Sequence, residues 1–276
     1  SAIQRAGGRV YSVGYDLMPI EFPHYFSTEA LLEFEVYLRT LIKSDGVFHI
    51  SEASRASFFR LSKKRRYGHQ LEQFHDVVPL APFHPREAES EERTGSPSPQ
   101  KTGYHFLMVG TVEPRKGHSV VLQAFQQLWA NGEKHRLTVI GNPGWLSKET
   151  IKTMMELEDN LDLFSWKCDV SDQQLIAEYL SADALVAASE AEGFGLPLVE
   201  AANFGIPILA SDIQPFREIA GEHAFFFESR TALGIMRGVS EWALQRQANT
   251  HPNSNLIRLR SWNSSAMVVI NRLKGI

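Results

Sequence analysis

A single cysteine, Cys168, is all the thiol chemistry this 276-residue chain holds. That excludes an intrachain disulfide and a cysteine-rich zinc site, and predicts a reducing cytoplasm as the compartment. No apolar run approaches the roughly 20 residues that span a bilayer. Residues 1–9 contain no apolar h-region, so no secretory signal is expected. Neither sign of charge dominates: 28 basic against 32 acidic side chains give a net charge of −4, and no global field draws the chain to nucleic acid. The 10 histidines show no metal-ligand spacing. No G-x-G-x-x-G follows the first strand, which disfavours a dinucleotide-dependent oxidoreductase.

What is there is an ordinary globular composition, 43% apolar and 22% charged, in a length suited to one large or two modest domains. A short strand is expected at 10–14, a loop at 15–19, a helix from Ala30 to Ile42, a strand at 46–50 and a helix opened by Ser51. A strand-like piece at 77–80 leads into a stretch rich in Pro, Glu and Ser, residues 82–102, that reads as a linker or mobile loop. Beyond it, strands near 106, 137, 161, 184, 207 and 224 alternate with helices, among them 119–130, 147–157 and 172–180. Val121, Ala124, Phe125 and Leu128 make a one-face core stripe. Such alternation predicts a mostly parallel sheet covered on both faces, with ligands beyond the carboxyl ends of its strands. Two helical segments, 232–247 and about 255–273, close the chain, and no internal repeat is visible. The expected division is 1–81, a linker at 82–102, a binding domain at 103–255, and a C-terminal helix at 256–276.

Two loops at strand ends carry the chemistry. In Glu192-Gly193-Phe194-Gly195-Leu196-Pro197-Leu198-Val199-Glu200, two carboxylates flank a glycine turn between an apolar strand and a helix. Gly193 and Gly195 are expected to take φ > 0 and allow close approach to a ligand. The helix from Leu196 aims its unpaired N–H groups at the loop, a ready anion site. Glu200 returns one turn later, where a carboxylate can accept two ribose hydroxyls. The second loop runs from Gly110 and Thr111 through Glu113 to Arg115, Lys116 and His118. Adjacent cations beside a helix N-terminus oppose the dipole preference, and a bound diphosphate supplies the reason for them.

V-G-T-V-E-P-R-K-G-H, V-I-G-N-P-G-W, E-G-F-G-L-P-L-V-E-A-A-N-F-G-I-P-I-L-A-S-D-I and P-F-R-E-I-A-G, in that order from Phe106 to about Phe227, resemble the donor half of a GT-B glycosyltransferase. The more specific resemblance is to glycosyltransferase family 4, the group 1 enzymes of bacterial polysaccharide type. It implies an α/β fold with a Rossmann-type donor domain, and retaining hexosyl transfer from a nucleotide-diphosphate sugar, GDP-mannose as first guess. The implied acceptor is a saccharide or lipid-linked saccharide. It implies no cofactor and no metal, and no DxD motif is present. By this resemblance Lys116 stabilises the leaving diphosphate, Arg115 assists, and Glu192 holds donor-sugar hydroxyls. Phe194, Gly195 and Leu196 turn amides to the donor, and Glu200 meets the ribose. Gly110, Gly141 and Asn142 line the approach, and the turn with Cys168 and Val170 lies against the base. Thr111 stands where many members have Arg, and Arg115 is inferred to take over part of that role.

Y-D-L-M-P-I-E-F-P resembles an acceptor-side loop in which His more often precedes the Asp, so Tyr15 and Asp16 are the acceptor-side candidates. With about 80 residues before the linker, the first segment reads as a truncated acceptor-domain remnant. A non-catalytic nucleotide-sugar-binding module is the competing expectation. Arg60 and Lys63-Lys64-Arg65-Arg66 read first as a solvated helix end, and second as a patch for anionic lipid head groups. Cys168 is expected to be a small buried or semi-buried filler rather than a nucleophile.

Overall fold

The structure is a computed structural model that describes residues 2–66, 73–83, 103–228 and 230–275. Most of the expected linker, 84–102, lies outside the described residues. The chain divides into two units: Ser1–Ala81 with Ala191–Leu196 and Arg260–Ile276, and Pro82–Glu190 with Pro197–Leu259.

The first unit holds three parallel strands, β1 (Tyr11–Gly14), β2 (Gly46–His49) and β3 (Phe74–Val77), in that order. Its helices are α1 (Ala2–Arg5), α2 (Met18–Glu21), α3 (Thr28–Ile42) and α4 (Glu52–Lys64). Ser27 and Ser51 cap α3 and α4 by accepting from Ala30 N and Ser54 N, each satisfying one of the orphan donors of a helix start. Leu17, Leu38, Leu41, Val47, Phe58 and Leu61 form the core. The third strand lies three residues earlier than expected. Pro79 has no N–H to give a ladder, whereas Phe74 packs against Tyr11 and Phe48, ring centroids 5.6 and 5.2 Å apart.

The second unit is one parallel sheet of six strands. In chain order it runs β4 (His105–Val109), α5 (His118–Ala130), β5 (Arg136–Ile140), α6 (Lys148–Asn160), β6 (Phe164–Lys167), α7 (Asp172–Ser181) and β7 (Ala184–Ala187). It continues through α8 (Leu196–Asn203), β8 (Ile208–Ser211), α9 (Gln214–Ala220), β9 (Phe225–Phe227) and α10 (Ala232–Gln247). The spatial order is β6-β5-β4-β7-β8-β9.

Alternation along the strands builds two cores. Phe106, Met108, Leu137, Val139 and Val186 meet the predicted stripe of α5 and the buried Trp242 of α10. Leu107, Ile140, Leu185 and Ile208 meet Tyr179 of α7, Leu198 of α8 and Phe216 of α9. The order reverses between β4 and β7, and at such a switch point the loops leaving the two strands diverge and open a crevice.

A final helix, α11 (Trp262–Lys274), groups with the first unit. It starts seven residues later than expected, because Ser261 and Ser264 close a capping box there. Ser265 Oγ donates to Pro79 O at 2.6 Å, and Arg272 Nη2 to Asp76 Oδ1 at 2.6 Å. Among the described residues no helix is long and apolar enough to cross a membrane.

Candidate nucleotide-sugar site

The β4–α5 junction carries the cations. After Val109 the chain passes Gly110 and the exposed Thr111, then turns tightly at Pro114–Lys116 before α5 starts at His118. The Lys116 side chain folds back over Gly110. A Cβ placed on that glycine would lie 3.7 to 3.8 Å from Cε, Cδ and Nζ. Arg115 turns inward instead. Its Nη2 lies 2.5 Å from Glu113 Oε1, and the two side chains are 12% and 1% exposed. A guanidinium so placed is largely balanced by a buried carboxylate. Arg115 O also accepts from Glu190 N at 2.7 Å, which ties the turn to the end of β7.

His118 is buried at the start of α5. Burial, and then the Lys116 charge, push it down to about 4, so it is neutral at pH 7. It adds no charge beneath the loop.

The β5 loop is stitched to this turn. Val112 N donates to Asn142 O, and Gly144 N to Val112 O, both at 2.9 Å. A Cβ on Gly141 would sit 1.9 Å from Gly110 O. The close approach that Gly141 permits in this structure is therefore that of the neighbouring loop. Asn142 and Asp169 exchange two hydrogen bonds of 2.8 Å, which fix the turn after β6 although Asp169 has φ 50°. Cys168 in that turn is exposed, against the expectation of a buried filler, and its Sγ faces Gly141 O at 3.6 Å. A turn held by Asn142 and Asp169 leaves the thiol no interior to fill. Val170 follows, half-buried.

Glu200, on α8, is half-buried. The Tyr179 hydroxyl donates to its Oε2 at 2.8 Å. Tyr179 was not singled out from sequence. At i+4 from Leu175 it reads as one more core aromatic, and only the structure shows where its hydroxyl points.

The stretch Ala191–Leu196 groups with the first unit. There Ser51 Oγ and Ser54 Oγ both donate to Gly193 O, at 2.6 and 3.0 Å. Asp16 packs so closely that a Cβ on Gly193 would lie 2.7 Å from the Asp16 Cβ. Gly195 has the expected positive φ, 128°. Gly193 is not in that region, so its need for glycine is the approach of Asp16. Glu192 is half-buried, Phe194 buried and Leu196 exposed. Tyr15 is exposed, with its amide held by Tyr37 Oη at 2.8 Å, and Asp16 Oδ1 accepts from Met18 N at 3.2 Å. Among the described residues no group of three or more His, Cys, Asp or Glu is placed to hold a metal.

Residues 89–256 match the family model "Glycosyl transferases group 1", more than half of the chain. The chain belongs to the group 1 glycosyltransferases. It is 40% identical over 169 residues to a serotype-specific mannosyltransferase WbdA of Escherichia coli, across 61% of this chain and 21% of that protein. It is 31% identical over 119 residues to the O-antigen chain mannosyltransferase B of Escherichia coli, across 43% and 31%. The chain thus spans a fifth to a third of these curated relatives. Among solved structures it resembles Anabaena HepE in complex with UDP and glucose, with TM-score 0.73 and 15% identity over 100% of this chain and 74% of that one. It also resembles the sucrose-phosphate synthase of Thermosynechococcus elongatus, with TM-score 0.72 and 17% identity over 97% and 68%. These neighbours share the GT-B glycosyltransferase fold.

Proposed function

We propose that this group 1 glycosyltransferase is a retaining hexosyltransferase of family 4. It takes a hexose from a nucleotide-diphosphate donor, GDP-mannose first, and passes it to a saccharide or lipid-linked saccharide in surface-polysaccharide synthesis. The observation that carries the reading is Lys116 folded over Gly110 at the β4–α5 junction, at the sheet's switch point. The mannosyltransferase and O-antigen names of its relatives support the sugar and the product class.

In this mechanism Lys116 stabilises charge as the diphosphate leaves. Arg115, paired with Glu113, stiffens the turn that presents it. The start of α8 adds the positive end of its dipole, with the amides of Phe194, Gly195 and Leu196 facing the donor. Together they supply what a divalent ion supplies elsewhere. Glu192 orients donor-sugar hydroxyls and Glu200 receives the ribose. Gly110, Thr111, Gly141, Asn142, Cys168 and Val170 line the donor's approach, and Tyr15 and Asp16 serve the acceptor side. Front-face attack, with a donor phosphate oxygen taking the acceptor proton, retains configuration, and the protein's part is positioning and electrostatics.

We place the reaction in the cytoplasm, against an anionic membrane surface. Lys63, Lys64 and Arg66 are exposed, whereas Arg60 and Arg65 pair with Glu21 and Glu35. The deciding experiment is calorimetry of the full-length protein against GDP, UDP and ADP, followed by transfer assays. Lys116→Ala and Glu192→Ala should each abolish most transfer. Near-normal turnover in either, or no binding to any nucleoside diphosphate, removes the proposal.

A further inference from the structure

Glu200 has a partner that neither the motif nor the family name assigns. Tyr179, in the last turns of α7, is 1% exposed, and its ring stacks on Phe204 with centroids 5.4 Å apart and 24° between planes. Phe204 follows α8, and its amide donates to Glu200 O at 3.1 Å. The Tyr179 ring therefore packs α7 against the end of α8, while its hydroxyl reaches Glu200 Oε2 at 2.8 Å. Burial, reinforced by the Glu200 charge, raises the phenol well above its ordinary value, so it stays protonated and donates. A carboxylate on a flexible stem samples many rotamers, and a charge-assisted hydrogen bond from a group locked by packing selects among them.

We propose that Tyr179 is a positioning residue that sets the plane of the Glu200 carboxylate for the two hydroxyls of a nucleotide ribose, and so governs discrimination between ribo- and 2′-deoxyribonucleotide donors. This rests on the ribose role of Glu200 given above. A carboxylate has about four lone-pair sites, and a bond to one oxygen from a fixed donor fixes where the others point. A vicinal diol needs that geometry to bond both hydroxyls at once. Removing one hydroxyl then costs a charge-assisted bond, about tenfold in affinity. A carboxylate without the Tyr179 bond still attracts a hydroxyl but loses the demand for both.

The test is calorimetric titration of the full-length protein with GDP and with 2′-deoxy-GDP. The variants are Tyr179→Phe, Glu200→Gln and the double substitution. Wild type is expected to prefer GDP about tenfold. Glu200→Gln and Tyr179→Phe should each bring the preference close to one, chiefly by weakening GDP, and the double variant should match Glu200→Gln alone. In turnover, Tyr179→Phe should raise donor KM and leave kcat nearly unchanged. A merely structural tyrosine would weaken both nucleotides equally. If Tyr179→Phe fails to fold, the double variant, which leaves no carboxylate beside the lost hydroxyl, is compared with Glu200→Gln, and any further loss of GDP affinity overturns the proposal. A preference lost in Glu200→Gln but kept in Tyr179→Phe overturns the positioning role alone. Absence of a preference in wild type, or one that survives Glu200→Gln, removes the ribose role of Glu200 and this inference with it.

Discussion

Gly141→Ala adds one methyl group where two loops of the second unit meet. Gly141 does not have a positive φ, so alanine is acceptable to the backbone itself. Considered alone, the change would stabilise by about 0.4–1 kcal/mol through the unfolded chain. The surroundings reverse the sign. The new Cβ would lie 1.9 Å from Gly110 O and 2.6 Å from Gly110 C, both backbone atoms. To restore even a tight contact the Gly110 carbonyl must retreat by about 1 Å. Around it lie the Gly110 N–Ile140 O and Val112 N–Asn142 O bonds, each 2.9 Å, and the Gly141 N–Lys167 O bond at 3.0 Å. Losing two of these costs about 2 kcal/mol, and overpacking adds roughly 1–3 kcal/mol. The expected destabilisation is about 4 kcal/mol.

At roughly 2–4 °C per kcal/mol for a chain of this size, Tm should fall by about 8–16 °C. Displacing Gly110 also moves the surface on which Lys116 lies, so under the proposed donor role of Lys116 the affinity for GDP should drop about tenfold or more. Thermal unfolding followed by circular dichroism, with calorimetric titration of GDP, reads both. A Tm that is unchanged or raised would show that the loops are not stitched as described, and would refute the reasoning.

Acid should unfold the protein through its buried histidines. His118 and His75 are pushed down to about 4 and His49 to about 3, chiefly by burial. Each is depressed below its unfolded value, so the unfolded chain binds more protons and stability falls as pH drops below about 6.5. His118 alone should cost on the order of 2 kcal/mol between pH 7 and 5. Urea unfolding at both values should show this loss, and His118→Gln should flatten the slope. Ser51→Ala should cost about 1–2 kcal/mol, because it removes both the cap of α4 and a bond to Gly193 O. Ser54→Ala, which removes the longer bond, should cost less, and the reverse order in chemical denaturation would contradict the geometry. Asn142→Ala should release the turn at Asp169 and speed hydrogen exchange of the Asp169 amide, with α6 unaffected.

The fold was legible wherever one periodicity held. The stripe of Val121, Ala124, Phe125 and Leu128 marked α5, and all four are buried. Boundaries failed where a single side chain decides them: Pro79 displaced β3, and the Ser261–Ser264 box delayed α11. Within the site, sequence could name charged and glycine positions but not the direction in which each points. Arg115 and Lys116 are neighbours of equal charge, and nothing in their order predicts that one turns to Glu113 while the other lies over Gly110. Tyr179 was invisible for the opposite reason. An aromatic at core spacing is ordinarily packing, and its polar atom acquires meaning only from a partner distant in sequence.

The contrast between Arg115 and Lys116 bears on how a glycosyltransferase can use two cations with no Arg at Thr111. A buried Arg–Glu pair adds little net stability, because desolvation offsets its attraction. Its effect is on geometry: the pair holds the Arg115 guanidinium against Glu113, and breaking a buried pair costs about 3–5 kcal/mol. With Arg115 fixed at both its guanidinium and its carbonyl, the turn at Pro114–Lys116 has little freedom, and the adjacent Lys116 leaves it from a defined point. The neutral His118 beneath adds no competing charge. In the proposed mechanism one cation thus makes the frame and the other is presented from it, so the field at the diphosphate would come from Lys116 and helix termini rather than from a paired Arg–Lys clamp.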